Sequence, residues 1–157
     1  MNSTNNSMNS NSTPSDLDMF DVTLEDLADM PSIQLFPNGA HKCNIGFKVD
    51  RKKQSVQVSF TYIEPLELAA PDATPPQPGD KNMVFINLRK KDGTPNEYAQ
   101  GTLKMILAGV KSLGGNNSGE IMEAAEGAEV AVVTKIRVGK GEYEGRDNLD
   151  IVTLELM

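Results

Sequence analysis

Apolar and polar residues alternate along several stretches of this chain, and each stretch predicts a β-strand with one buried face. From His41 to Asp50, Cys43, Ile45, Phe47 and Val49 share one parity, and Asn44, Lys48 and Asp50 the other. After Arg51-Lys52-Lys53-Gln54, a basic hairpin connection, the next run puts Val56, Val58, Phe60 and Tyr62 on one face and Gln57, Ser59 and Thr61 on the other. A third strand, largely buried, is expected over Asn82–Leu88, closed by the basic turn Arg89-Lys90-Lys91-Asp92-Gly93. The last third, Gly127 to Met157, reads as a hairpin. Val130, Val132, Thr134, Ile136 and Val138 share a parity, Lys135 and Arg137 point the other way, and a Gly-rich charged tip leads into the return strand Leu149–Leu156.

Between the third strand and that hairpin, Tyr98, Leu103, Ile106, Leu107 and Val110 roughly follow helical spacing within Asn96–Leu113, and Gly114-Gly115-Asn116-Asn117 ends the helix. Ile121 to Ala125 adds a turn of helix. Tyr98 is read as a core or helix-edge residue. Glu64 to Asp80 carries five prolines and is expected to be a long loop. Pro37-Asn38-Gly39 marks the turn into the first strand, so the folded body is expected over residues 33–157.

The N-terminal residues 1–32 have a different character. Met1 to Ser15 is Asn, Ser, Thr and Met without a charge, with too little apolar surface to offset the entropy of ordering, and is expected to be disordered. Asp16 to Met30 interleaves acids with Leu17, Phe20, Leu24 and Leu27 at spacings of 3, 4 and 3, which share one side of a helix. This acidic-apolar segment is either a solvated linker or a recognition peptide that recruits a partner protein or competes with DNA for the basic surface.

Composition changes the picture mainly through charge. The chain of 157 residues has a net charge of −7, but residues 1–30 hold six of the 22 acids and no base. The remaining 16 acids and 15 bases leave the body at −1, so the placement of its cations decides what it binds. One cysteine (Cys43) excludes an internal disulfide, and one histidine (His41) cannot build a metal site alone. His41 and Cys43 have the spacing of same-face neighbours at a strand start. There is no P-loop, dinucleotide fingerprint, nucleophile elbow or paired-carboxylate spacing, so no enzyme and no cofactor is expected. The chain shows neither a membrane-length apolar run nor a signal-peptide pattern, and a cytoplasmic location is expected.

The element order is strand, strand, strand, helix, strand, strand. It is the order of an OB-fold, a five-stranded Greek-key barrel with one helix between strands 3 and 4, whose first and last hairpin loops flank an oligonucleotide groove; other five-stranded barrels and sandwiches share the order. Arg51, Lys52 and Lys53 fall in the first hairpin, Arg89, Lys90 and Lys91 after the third strand, and Lys135, Arg137, Lys140 and Arg146 on the last hairpin. With Lys48 they form a candidate backbone-binding set, and Tyr143 in the tip is the candidate for base stacking.

Pro37-Asn38-Gly39, Gly127-x-Glu129-Val130-x-Val132 and Tyr143-Glu144-Gly145-Arg146-x-Asn148 are the residues through which the body resembles small bacteriophage-encoded single-stranded-DNA-binding proteins of replication and recombination. The resemblance implies an OB-type barrel that coats single strands, in the host cytoplasm for a phage-encoded chain. The sequence departs from many such binders in placing its acidic segment at the N-terminus. The expected partners are single-stranded DNA, replication or recombination proteins through Asp16–Met30, and a second copy in a homodimer. The competing expectation is a non-enzymatic structural or protein-interaction module, such as a virion component or inhibitor.

Overall fold

The alternation of buried and exposed positions builds a five-stranded antiparallel sheet in a computed structural model that describes residues 20–26 and 34–157. The chain divides into two units, Met1–Ser32 and Ile33–Met157. In the first, the described residues 20–26 form one 3-10 turn, Leu24–Asp26. The predicted tail 1–15 and the flanks of the acidic-apolar segment lie outside the described residues.

The second unit contains β1 (Gly39–Asp50), β2 (Ser55–Leu68), β3 (Lys81–Asn87), α1 (Glu97–Val110), α2 (Ser118–Ala125), β4 (Glu129–Arg137) and β5 (Asn148–Leu156). The sheet order is β3-β2-β1-β4-β5, with β1 paired on both sides and β3 and β5 at the edges. His41, Cys43 and Ile45 of β1, Val56, Val58, Phe60 and Tyr62 of β2, and Val130, Val132 and Thr134 of β4 are buried, as their shared parities predict, while toward the strand ends Phe47 and Ile136 are half-buried and Val49 and Val138 exposed. In β5 the buried parity changes. Leu149 and Ile151 turn inward, then Leu154 and Leu156, because β4 and β5 slip by one residue between Val133 and Thr134 and leave Val152 as the extra, exposed residue.

Strand β2 continues through Pro65 to Leu68, where a loop was expected. Proline is accommodated there because β3 pairs only as far as Thr61, leaving β2 a neighbour on its β1 side alone, next to a register shift. Two helices stand between β3 and β4, and the turn expected at Ile121–Ala125 is the last part of α2. Asn96 caps α1 by accepting from the Ala99 N–H at 3.3 Å. Asn117, read as part of a helix terminator, is the N-cap of α2, accepting from the Glu120 N–H at 2.9 Å. Helix α1 buries Ala99, Leu103, Ile106, Leu107 and Val110 and packs on β5 and β3, the two edge strands. Its closest approach is at Gly109, where a Cβ would stand 2.1 Å from the Leu154 carbonyl oxygen.

A short segment before β1 completes the core. Phe36 is fully buried, and its N–H donates to Asn82 Oδ1 at 2.8 Å while Asn82 Nδ2 donates to the Gln34 carbonyl at 3.2 Å. The buried Asn82 side chain thereby acts as a strand partner for residues 34–36. Beside it, His41 Nε2 donates to the Pro37 carbonyl at 2.7 Å, and Nδ1 lies 3.0 Å from the Tyr62 hydroxyl. A carbonyl only accepts, so Nε2 carries a proton. Thr134 Oγ1 donates to the same carbonyl at 3.1 Å. Burial holds the His41 pKa below its ordinary value, partly opposed by the bond to Pro37. The Cys43 thiol, on the same face, is pushed up to about 12 by burial.

Candidate nucleic-acid interface

Where all three strands pair, the outward face of β1, β2 and β3 is polar apart from Gly46, Met83 and Phe85. Register places Lys48, Gln57 and Phe85 in one row, Gly46, Ser59 and Met83 in the next, and Asn44, Thr61 and Lys81 in a third. Strand β3 alternates: Asn82 and Ile86 are buried, while Lys81, Met83, Phe85 and Asn87 are exposed. The sequence-based reading of β3 as largely buried is therefore corrected. Phe85 is 69% exposed and Met83 40% exposed. An aromatic ring left in water on an edge strand keeps surface available for another molecule.

Helix α1 adds a third such residue. Tyr98 is 78% exposed, and the core position expected of it is taken by its neighbour Ala99. The Asn96 cap fixes the start of α1 directly after the β3–α1 loop and sets which side of the first turn faces outward. Met83, Phe85 and Asn87 of β3, Tyr98 and Thr102 of α1, and Arg137, Asn148 and Asp150 of the β4–β5 hairpin line one groove of about 320 Å³. The two edges of the open sheet thus face each other across this groove, with the first turn of α1 as a third wall. Its lining combines two aromatic rings, a thioether, amide side chains, one guanidinium and one carboxylate with the apolar Val84, Ile86, Ala99, Leu149 and Ile151. That guanidinium is paired: Arg137 Nε lies 3.2 Å from Asp150 Oδ2.

The predicted cations fall into two places. At one end of the sheet, the Leu88 N–H donates to the Gln54 carbonyl at 2.9 Å, tying the β1–β2 turn to the β3–α1 loop. Arg51, Lys52, Lys53 and Arg89, Lys90, Lys91, all exposed, are therefore carried on two joined turns. The second turn is a closed loop. Arg89 bridges to Pro95, Arg89 Nη1 donates to the Gly93 carbonyl at 3.0 Å, and Thr94 donates through N and Oγ1 to Asp92 Oδ1 at 3.0 and 2.6 Å. The Thr94 hydroxyl and amide bonds hold the Asp92 carboxyl below the usual range. Arg51 turns toward α2, its Nη2 3.7 Å from where a Cβ on Gly119 would stand.

The other group lies on the last hairpin. Lys135, Lys140 and Arg146 are exposed, and Arg137, Gly139, Lys140 and Asn148 border a concavity of about 520 Å³ at its base. Tyr143 ends the 3-10 turn Gly141–Tyr143, and its side chain lies outside the described part of the structure. Lys48 stands exposed in the Phe85 row. Sequence reasoning missed Lys81, Met83, Phe85 and Tyr98. The signal for the first three was parity, since Lys81 and Asn87 are polar and share a face with Met83 and Phe85.

Among the described residues, no three His, Cys, Asp or Glu side chains gather into a group that could hold a metal, and no helix is long and apolar enough to cross a membrane. No protein-family model matches the chain, and no curated protein sequence matches it.

Proposed function

We propose that the chain binds single-stranded DNA without sequence preference, along the outward face of β2 and β3 and into the groove between β3 and β5. The observation that carries this reading is the exposure of Phe85 and Tyr98 in one groove, with Met83 between polar neighbours. Stacked bases need flat side chains held in water by a rigid frame, and each stacked base is worth about 1–3 kcal/mol. The basic turns at one end of β2–β3 and the cations of the last hairpin supply phosphate contacts on either side of those rings. Lys48 and Lys81 extend the path across the face, and Tyr143 is assigned a further stacking position at the tip.

The strand order and the helix between β3 and β4 support an OB-type reading, in which the β2–β3 face is the ligand surface and the β1–β2 and β4–β5 loops are its flanks. Together with the resemblance to phage single-strand binders, this supports a role in protecting single-stranded intermediates of phage-type replication or recombination, in the host cytoplasm. The chemistry is binding rather than catalysis.

Fluorescence anisotropy of a labelled oligonucleotide, as single strand and as duplex, tests the reading at low and moderate salt. Preference for the single strand is expected, with affinity falling as salt rises by about 0.7 log units per log unit for each phosphate neutralised. Absence of binding at both salts sinks the proposal and turns the exposed rings into evidence for a protein-interaction module.

A further inference from the structure

Helix α1 carries a second groove on its other side, larger than the one between the sheet edges. It measures about 660 Å³; Leu88, Leu103, Leu107 and Ile121 contribute its apolar lining, and Lys104 and Lys111 also border it. Both lysines are exposed. The described ion pairs are Lys42 with Glu129 and Arg137 with Asp150, and neither includes them. At about 100° per residue, Lys104 and Lys111 fall on nearly the same side of α1 and roughly opposite Tyr98 and Thr102. The two grooves are thus separated by the body of the helix, and each can be filled without the other.

An apolar trough beside two lysines of one helix face, seven residues apart, fits a ligand of defined chemistry. It should be acidic, short, and studded with apolar side chains every three or four residues, so that these enter the trough while carboxylates meet the rim. Lys104 and Lys111 lie about two helical turns apart, close to 10 Å. One sequence with this chemistry is in the chain itself. Leu17, Phe20, Leu24 and Leu27 recur at spacings of 3, 4 and 3 among six acids and no base.

The geometry points to this groove as a docking site for residues 16–30 of a second copy of the chain. Docking of this kind links neighbouring copies without using the rings or basic turns assigned to DNA. It therefore stands or falls independently of the nucleic-acid reading.

The test uses a fluorescent synthetic peptide of residues 16–30 as probe. The receptor is the full chain with Leu17, Leu24 and Leu27 replaced by serine, so that its own copy of the segment does not compete. Saturable binding is expected, with amide shifts in an NMR titration confined to Leu103, Lys104, Leu107, Lys111 and Ile121 and their neighbours. Adding Lys104→Glu and Lys111→Glu should weaken the peptide roughly tenfold or more by turning two attractions into repulsions, and leave oligonucleotide affinity within twofold. A peptide of the same composition in scrambled order should bind at least tenfold more weakly. No saturable binding, equal binding by the scrambled peptide, shifts centred on Phe85 and Tyr98, affinity unchanged by the double reversal, or a wild-type chain that sediments as a monomer at concentrations above the peptide's Kd each overturns the proposal. Retained peptide binding alongside absent oligonucleotide binding would refute the nucleic-acid reading alone.

Discussion

Replacing Phe85 with alanine removes a ring that the fold barely uses. The side chain is 69% exposed, so about a third of its surface is covered, and full burial of a phenylalanine is worth about 1.5–3 kcal/mol. Truncation should therefore cost stability about 0.5–1 kcal/mol, and the variant should unfold cooperatively close to the wild type. If a base stacks on the ring, the lost contact is about 1–3 kcal/mol of binding, or a roughly 5- to 150-fold rise in Kd at about 1.4 kcal/mol per decade. Anisotropy with a labelled single strand measures the Kd, and urea unfolding measures the stability of the same preparation. Phe85→Trp supplies the complementary reading. The chain has no tryptophan, so the new indole is a sole reporter whose emission should be quenched by stacked bases while affinity is retained. Tyr98→Ala should behave like Phe85→Ala, and because both line one groove the double variant should show coupling between them. Unchanged affinity in folded Phe85→Ala and Tyr98→Ala would remove the groove from the binding site.

On the last hairpin, Lys140→Glu with Arg146→Glu should weaken oligonucleotide binding several-fold at low salt and flatten its salt dependence, and Tyr143→Ala should weaken it without moving the unfolding midpoint. Equilibrium unfolding across pH 5.5–8 should reveal His41, the sole histidine. Its folded pKa is depressed by burial, so the unfolded chain takes up the proton first as pH falls. Its contribution is thus complete above about pH 6.5 and is lost as pH drops below that value toward the folded pKa, at up to about 1.4 kcal/mol per pH unit. His41→Gln should flatten this dependence; a wild-type stability that stays constant down to pH 5.5 contradicts the assignment. Two glycines of α1 should respond oppositely to alanine. A Cβ at Gly101 meets nothing within 4 Å, so Gly101→Ala should stabilise by about 0.5–1 kcal/mol through helix propensity. Gly109→Ala drives a methyl into the Leu154 carbonyl and should destabilise by about 1–3 kcal/mol, as overpacking does. Cys43, buried with its thiol pKa near 12, should react with an alkylating reagent only as fast as the protein opens; labelling at the rate of a free thiol refutes that burial.

The strands β1, β2 and β4 were legible because each buries one face, and a period of two imposes itself on the side chains. The buried face of α1 was legible for the corresponding reason at a period of 3.6, and the Pro37-Asn38-Gly39 turn because its residue types match the backbone it requires. The sequence also determined where the cations sit along the chain: Arg51, Lys52, Lys53, Arg89, Lys90, Lys91, Lys140 and Arg146 on connections, Lys48, Lys135 and Arg137 on outward strand positions. Tertiary structure decided the rest. In Met83-Val84-Phe85-Ile86 every residue is apolar, so these four alone do not separate inside from outside; the flanking Lys81 and Asn87 mark the open parity, but the polar Asn82 on the opposite, buried parity obscures it. Tyr98 is exposed and Ala99 buried because α1 lies across both sheet edges, a relation no window of sequence contains. The parity switch at Val152 arises from pairing with β4, and Asn82 is buried because residues 34–36, far away in sequence, need a partner. A period reports the surroundings of one element, whereas a site is made where separate elements meet, and that meeting is fixed only when the core closes.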